Sequence, residues 1–165
     1  MQALDTGAKA PDFTLNTTEG KQFSLQEALE RGPVVVGFFK VSCPVCQYAF
    51  PYLERVYQAS GGKGVTVVGV SQDNQRDTRR FTKEFGVTFP VLLDPSNSYA
   101  TSNAYGLTNV PSVFWIAPDG TVEISSVGWS RADMEEIHRR ITETNGTNKL
   151  SLFKPGEDVR DFRAG

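Results

Sequence analysis

Cys43 and Cys46 are the only cysteines in this chain of 165 residues, and they stand as Cys43-Pro44-Val45-Cys46. They follow the apolar run Val34-Val35-Val36-Gly37-Phe38-Phe39 and precede a helical pattern. Two thiols at this spacing, at the start of a helix, can close a small disulfide and open it again, so the leading chemistry is thiol–disulfide exchange. The thiolate is the form that attacks a disulfide. Cys43 falls at the helix N-cap or just before it, where unpaired backbone N–H groups and the helix dipole favour negative charge. Pro44 in the first turn loses no needed hydrogen bond. Cys46 lies one turn further in, on the same side and less exposed. The roles then separate: Cys43 attacks and forms a mixed disulfide, and Cys46 resolves it. The bland alternative is a pair of small buried core residues. The intervening proline and the strand-to-helix position argue against it.

A Cys-x-x-Cys pair can also be half of a metal site. A tetrahedral site needs two further ligands, and the single histidine, His138, lies far along the chain. No metal and no cofactor are expected. A carrier of soft Cu(I), with His138 as third ligand beside the two thiols, is a reading from another class. The plainer account of His138 is a half-buried residue on a helix. Gly61-Gly62-Lys63-Gly64 follows a helix and so reads as a turn, not a phosphate loop. Asp73 and Asp77 read as a helix cap and a first-turn charge.

The elements around the thiols are legible. Phe13–Asn16 and Lys21–Phe23 read as short strands about a Glu19-Gly20 turn. Ser24-Leu25-Gln26-Glu27 is a capping box that opens a short helix ending near Gly32-Pro33. Val34–Phe39 reads as a strand covered on both faces. A helix from Pro44 to about Ala59 places Cys46, Phe50, Leu53 and Tyr57 on one stripe, with Pro51 inside it. Val65–Val70 is a second buried strand. A helix capped by Asp73 or Asn74 follows and ends at Gly86. Pro90–Leu93 is extended and Ser98–Tyr105 a short helix. Ser112–Ile116 and Thr121–Val127 form an antiparallel hairpin across Ala117-Pro118-Asp119-Gly120. Ser130 caps a last helix, with Met134, Ile137 and Ile141 inward, that ends near Asn145-Gly146. The order is α/β: a mixed central sheet with helices on both faces and an N-terminal β-hairpin extension. Residues 1–146 are expected to form one domain, and 147–165 a polar tail that packs loosely or is disordered.

Composition is that of a globular protein, 39% hydrophobic and 22% charged. A net charge of −2 points to neither nucleic acid nor an acidic membrane surface. No apolar stretch approaches the roughly 20 residues of a spanning helix. Met1-Gln2-Ala3-Leu4-Asp5 offers no basic or apolar leader, so a cytoplasmic protein is expected; a monomer is expected as well. A trimmed periplasmic or exported protein would read the same.

Asn109-Val110-Pro111-Ser112 leads into the hairpin strand, and a proline there fits a cis peptide bond. At this point the chain resembles thioredoxin-fold thiol–disulfide oxidoreductases of the TlpA-like type, within the AhpC/TSA (peroxiredoxin-related) superfamily. The matching pieces are Gly7-Ala8-Lys9-Ala10-Pro11-Asp12-Phe13, Phe38–Cys46, Phe50-Pro51, Val110-Pro111 and Phe114–Gly120. The resemblance spans residues 7 to about 145. It implies a cis bond at Val110-Pro111 beside the thiols, and a backbone at Val110 that pairs with a substrate segment like an added strand. It also implies that Pro111 blocks a competing ligand position. Val110, Pro111 and Pro44 are thus the expected substrate-binding residues, and the partners are protein or low-molecular-weight disulfides.

The chain departs from the pattern in three places. Relatives usually carry tryptophan before the first cysteine, where Ser42 stands. Many thioredoxins keep a buried acid at the position of Gly37. Some TlpA-like proteins have a glutamate at the position of Ala49. The second hypothesis for the superfamily is a peroxidase acting on hydroperoxides. Peroxiredoxins share a Pro-x-x-x-Thr/Ser-x-x-Cys loop. Neither cysteine has it: three residues before Cys43 is Lys40, and three before Cys46 is Cys43 itself. Disulfide exchange in a redox-homeostasis or antioxidant role is therefore the favoured expectation.

Overall fold

The computed structural model describes residues 3–145 and 151–165. Its elements run β1 (Thr14–Asn16), β2 (Gln22–Ser24), α1 (Leu25–Leu29), β3 (Val34–Phe39), α2 (Pro44–Ser60), β4 (Thr66–Ser71) and α3 (Gln75–Glu84). Then come β5 (Val91–Leu93), α4 (Ala100–Ala104), β6 (Ser112–Ile116), β7 (Val122–Val127), β8 (Trp129–Ser130), α5 (Arg131–Asn145) and β9 (Phe162–Arg163). Gly146, expected at the end of the last helix, lies outside the described residues.

The unbroken apolar run of β3 is buried at all its positions, as suits a strand with no solvent face. It forms the centre of a five-stranded sheet ordered β5-β4-β3-β6-β7. β3 runs parallel to β4 and antiparallel to β6, with Phe38 opposite both Val70 and Ser112. Side chains alternate across the sheet. Val35 and Phe39 join α2 and α5 in one core layer, with Phe50, Leu53, Ile137 and Ile141. Val34, Val36 and Phe38 join Leu25 and Ala28 of α1, with Phe13 and Tyr105, in the other. β1 and β2 form the N-terminal hairpin. This is the thioredoxin-like fold.

Local chemistry explains the boundaries. Ser24 accepts a hydrogen bond from the Glu27 N–H, capping α1. Asn74, rather than Asp73, caps α3 through the Asp77 N–H. Ser130 accepts from the Asp133 N–H at 3.2 Å and starts α5. In α2 the inward stripe includes Val56, while Tyr57 is only half-buried. No helix among the described residues is long and apolar enough to cross a membrane.

The segment 151–165 differs from the loose or disordered tail expected. Leu152 and Val159 are 6% and 8% exposed, and Phe153 meets the rings of Tyr52 and Trp129. Arg55 grips both oxygens of Glu157 at 2.7 and 2.8 Å and holds that carboxyl well below the usual range. Trp129 is fully buried and donates its indole N–H to the Arg160 carbonyl. Scattered anchors of this kind leave no periodicity to read.

Gly37 lies in β3 beneath α2. A β-carbon there would stand 3.0 Å from Leu53 and 3.4 Å from Phe50. The position where many thioredoxins keep an acid is thus filled by α2 side chains. Gly37→Asp should destabilise the protein by about 3 kcal/mol or more, through overpacking and an unpaired buried carboxylate. Urea unfolding tests this; a loss below about 1 kcal/mol would show that the position has room.

Candidate active site

β3 ends at Phe39, and the chain turns through Lys40, Val41 and Ser42 before α2 begins. Cys43 is the N-cap of α2 in extended conformation, φ −82° and ψ 115°, with Pro44 at the first helical position. Proline there gives up an N–H that has no intrahelical partner. The Cys43 sulfur does what a serine oxygen does at such a cap: it accepts the Cys46 N–H, at 3.2 Å. The turn is clamped from below. The Val41 N–H donates to Asp73 Oδ2 at 2.8 Å, and the Gln47 amide donates to the Val41 carbonyl at 2.9 Å.

The opposite wall is the approach to β6. The Val110–Pro111 bond is cis. The Cys43 thiol lies 3.5 Å from the Val110 carbonyl and donates to it. Pro111 is buried, and its carbonyl accepts the Gly128 N–H. Ser112 Oγ closes on the Asn109 carbonyl at 2.7 Å. Beside Cys43 opens a cleft of about 440 Å³, bordered by Lys40, Gln72, Tyr99, Ser102, Val110 and Gly165. Its far wall is fixed by the buried Asp94, which accepts from the Ser102 N–H and hydroxyl. Ser102 in turn accepts from the Gln72 amide.

The two sulfurs occupy unlike surroundings. Cys43 is half-buried, whereas Cys46 is 0% exposed. Burial pushes the Cys46 thiol up, far above its ordinary value of 9.0. Its hydrogen bond with Cys43 pushes the same way, and the charges of Cys43 and Asp73 add to it. A half-exposed sulfur at a helix N-terminus and a buried protonated one a turn behind can react in sequence.

The structure brings Cys43, Cys46, Val110 and Pro111 together, with Pro44 exposed at their edge. Lys40 is exposed at the cleft, and Ala49 is buried in the core. His138 borders a different cleft, with Glu54, Arg55 and Leu152, so it does not supply the thiols with a third ligand. Among the described residues no group of three or more His, Cys, Asp or Glu could hold a metal ion. Trp129 sits with Tyr48 and Tyr52 in the core, away from the cleft lining. Asp73 was legible only as a possible helix cap; its bond to the Val41 N–H spans 32 residues of sequence. Gln72, Ser102 and Gly165 gave no signal at all.

Comparison with known proteins agrees with this geometry. The model of the AhpC/TSA family matches residues 6–125. Thiol-disulfide oxidoreductase ResA of Bacillus subtilis is 29% identical over 94% of this chain and 80% of its own length. Its namesake in Geobacillus thermodenitrificans is 30% identical over 73% of this chain and 68% of its own. A Chlorobium tepidum crystal structure, assigned as thiol:disulfide interchange protein DsbE, superposes with a TM-score of 0.74. It is 30% identical and covers 87% of this chain and 100% of that one. These kinships with ResA and DsbE overturn the cytoplasmic expectation. The expectation rested on Met1-Gln2-Ala3-Leu4-Asp5 alone.

The buried thiol has a consequence for stability. Above about pH 9 the unfolded chain releases the Cys46 proton while the native state keeps it. The native state then binds more protons, so stability must fall as pH rises through that range. Cys46→Ala should remove this part of the alkaline loss, measured by urea unfolding from neutral to alkaline pH. An alkaline slope equal to that of the parent would contradict the assignment.

Proposed function

This chain belongs to the AhpC/TSA family and is a thiol–disulfide oxidoreductase, and we propose that Cys43 is its attacking thiol, Cys46 its resolving thiol and Val110-Pro111 its docking edge. The observation that supports this most directly is the placement of the Cys43 sulfur. It is half-exposed, 3.2 Å from the Cys46 N–H and 3.5 Å from the Val110 carbonyl, at the mouth of a cleft.

In the reducing direction Cys43, as thiolate, attacks one sulfur of a substrate disulfide. A new S–S bond forms to Cys43, the substrate S–S bond breaks, and the departing thiolate takes a proton. Two of the influences that keep the proton on Cys46 come from Cys43 itself, its hydrogen bond and its charge. Once Cys43 is held in a mixed disulfide both are gone, and Cys46 loses its proton more readily. It then attacks the Cys43 sulfur, closes the Cys43–Cys46 disulfide and frees the second substrate thiol. Two electrons and two protons have passed to the substrate. Run backwards, the same steps oxidise a dithiol.

The backbone of Val110 offers a partner's extended segment the hydrogen bonds of an added strand. Protein disulfides and small-molecule disulfides are the substrate classes this site suits. The absence of a peroxiredoxin loop before either cysteine, seen already in Lys40 and Cys43, weighs against hydroperoxides.

Cys43→Ser should abolish disulfide exchange, leaving less than about 1% of parent activity. Cys46→Ser should accumulate mixed disulfides with its partners, seen as a mass increase lost on adding dithiothreitol. An assay with hydrogen peroxide in place of the disulfide should show slow oxidation of the reduced protein. Full disulfide reduction by Cys43→Ser, or fast peroxide turnover with negligible exchange, would overturn the assignment.

A further inference from the structure

The segment Phe162–Gly165 runs onto the docking edge. β9 pairs antiparallel with β8, Trp129 opposite Arg163 and Ser130 opposite Phe162. The Arg131 N–H donates to the Asp161 carbonyl at 2.9 Å, and the Arg160 N–H donates to the Tyr48 hydroxyl at 3.0 Å. The Arg163 guanidinium lies over the Tyr48 ring. Directed by these contacts, Gly165 arrives at Val110. The Asn109 amide donates to the Gly165 carbonyl at 3.1 Å, and Gly165 borders the same cleft as Cys43. A β-carbon on Gly165 would collide with the Val110 carbonyl and come within 3.4 Å of the Pro111 nitrogen. Only a glycine can lie so close. On the other side, a β-carbon on Gly128 would meet the Arg163 carbonyl at 2.5 Å and the Gly165 nitrogen at 3.2 Å. Backbone lies on backbone along the line that a bound segment would follow.

Little apolar burial holds this strap. β9 has two residues. Phe162 is 61% exposed, the one large apolar side chain so exposed among the described residues, and Ala164 and Gly165 are exposed too. The buried anchors, Leu152 and Val159, and the Arg55–Glu157 pair all lie before residue 160. Segments with few buried contacts open locally at low free-energy cost.

We propose that Phe162–Gly165 is a specificity element: it occupies the docking position along Val110, so an extended protein segment must displace it, while a small disulfide reaches Cys43 past it. The proposal rests on the reading of Val110 as the docking edge. Two variants release the strap. Gly165→Val forces it off the Val110 carbonyl, and deletion of Phe162–Gly165 removes it while keeping the earlier anchors.

Insulin serves as the protein disulfide and hydroxyethyl disulfide as the small one, each followed as kcat/KM. Both variants should raise the value for insulin by about threefold or more, since the docking-competent fraction rises, and leave hydroxyethyl disulfide unchanged. An insulin value that stays level or falls overturns the proposal, as does loss of both activities in both variants, which would make the segment structural. Hydrogen exchange separates the underlying reading. In the mixed disulfide of Cys46→Ser with a cysteine peptide, the Val110 amide should gain protection. No protection refutes Val110 docking itself; protection with an unmoved insulin value refutes the strap alone.

Discussion

The antiparallel pairing of β3 with β6 is the constraint on which the site depends. In such a pair the end of one strand lies beside the beginning of the other. With Phe38 opposite Ser112, the chain leaving β3 and the chain entering β6 meet at one edge of the sheet. Cys43 is thereby set against Val110, although 67 residues separate them. The parallel pairing of β3 with β4 does the same for Gln72 and Asp73, which leave β4 at that edge. β5 delivers Asp94 to it as well. Open sheets place their ligand sites beyond the carboxyl ends of parallel strands, where the connections diverge. The cleft beside Cys43 is such a place.

Within that frame the chemistry follows from unequal burial. The helix starting at Pro44 sends its second cysteine under the sheet-facing layer and leaves the first at its N-terminus. Desolvation keeps Cys46 neutral, so only one sulfur is available to begin a cycle. The Cys46 thiol is held back partly by Cys43, which, under the proposed roles, links its release to the first step. The carboxylate positions familiar from the thioredoxin resemblance are closed here. Gly37 is walled by Leu53 and Phe50, and Ala49 is buried. Asp73 is the acid whose charge bears on Cys46, and it also braces the turn through Val41.

Much of this was legible in residues 13–141, because each element there has a local cause. The runs Val34–Phe39 and Ser112–Ile116 are bounded by breakers and buried throughout, so their limits coincide with the observed strands. Ser24 and Ser130 cap their helices through side chains within three residues. Asp73 was misread because a cap and a long-range backbone clamp look alike in sequence; only the fold shows which N–H is near. The segment 151–165 was underestimated for the same reason. Its hold depends on Arg55, Tyr48 and Trp129, about a hundred residues earlier for the first two, and on single buried residues without period. Gly165 gave no warning, since a close backbone approach leaves no mark beyond the glycine itself. The cytoplasmic expectation rested on the N-terminal residues Met1–Asp5 alone, and kinship overturned it.

Exchange at this site requires one sulfur to be reachable and the other shielded in the folded, reduced protein. Alkylation with iodoacetamide at neutral pH, with each cysteine followed by mass spectrometry of its peptide, measures this directly. Cys43 should react at least about a hundredfold faster than Cys46, because the buried thiol holds its proton and reagent reaches it only by local opening. Comparable rates at the two positions, or faster labelling of Cys46, would contradict the account.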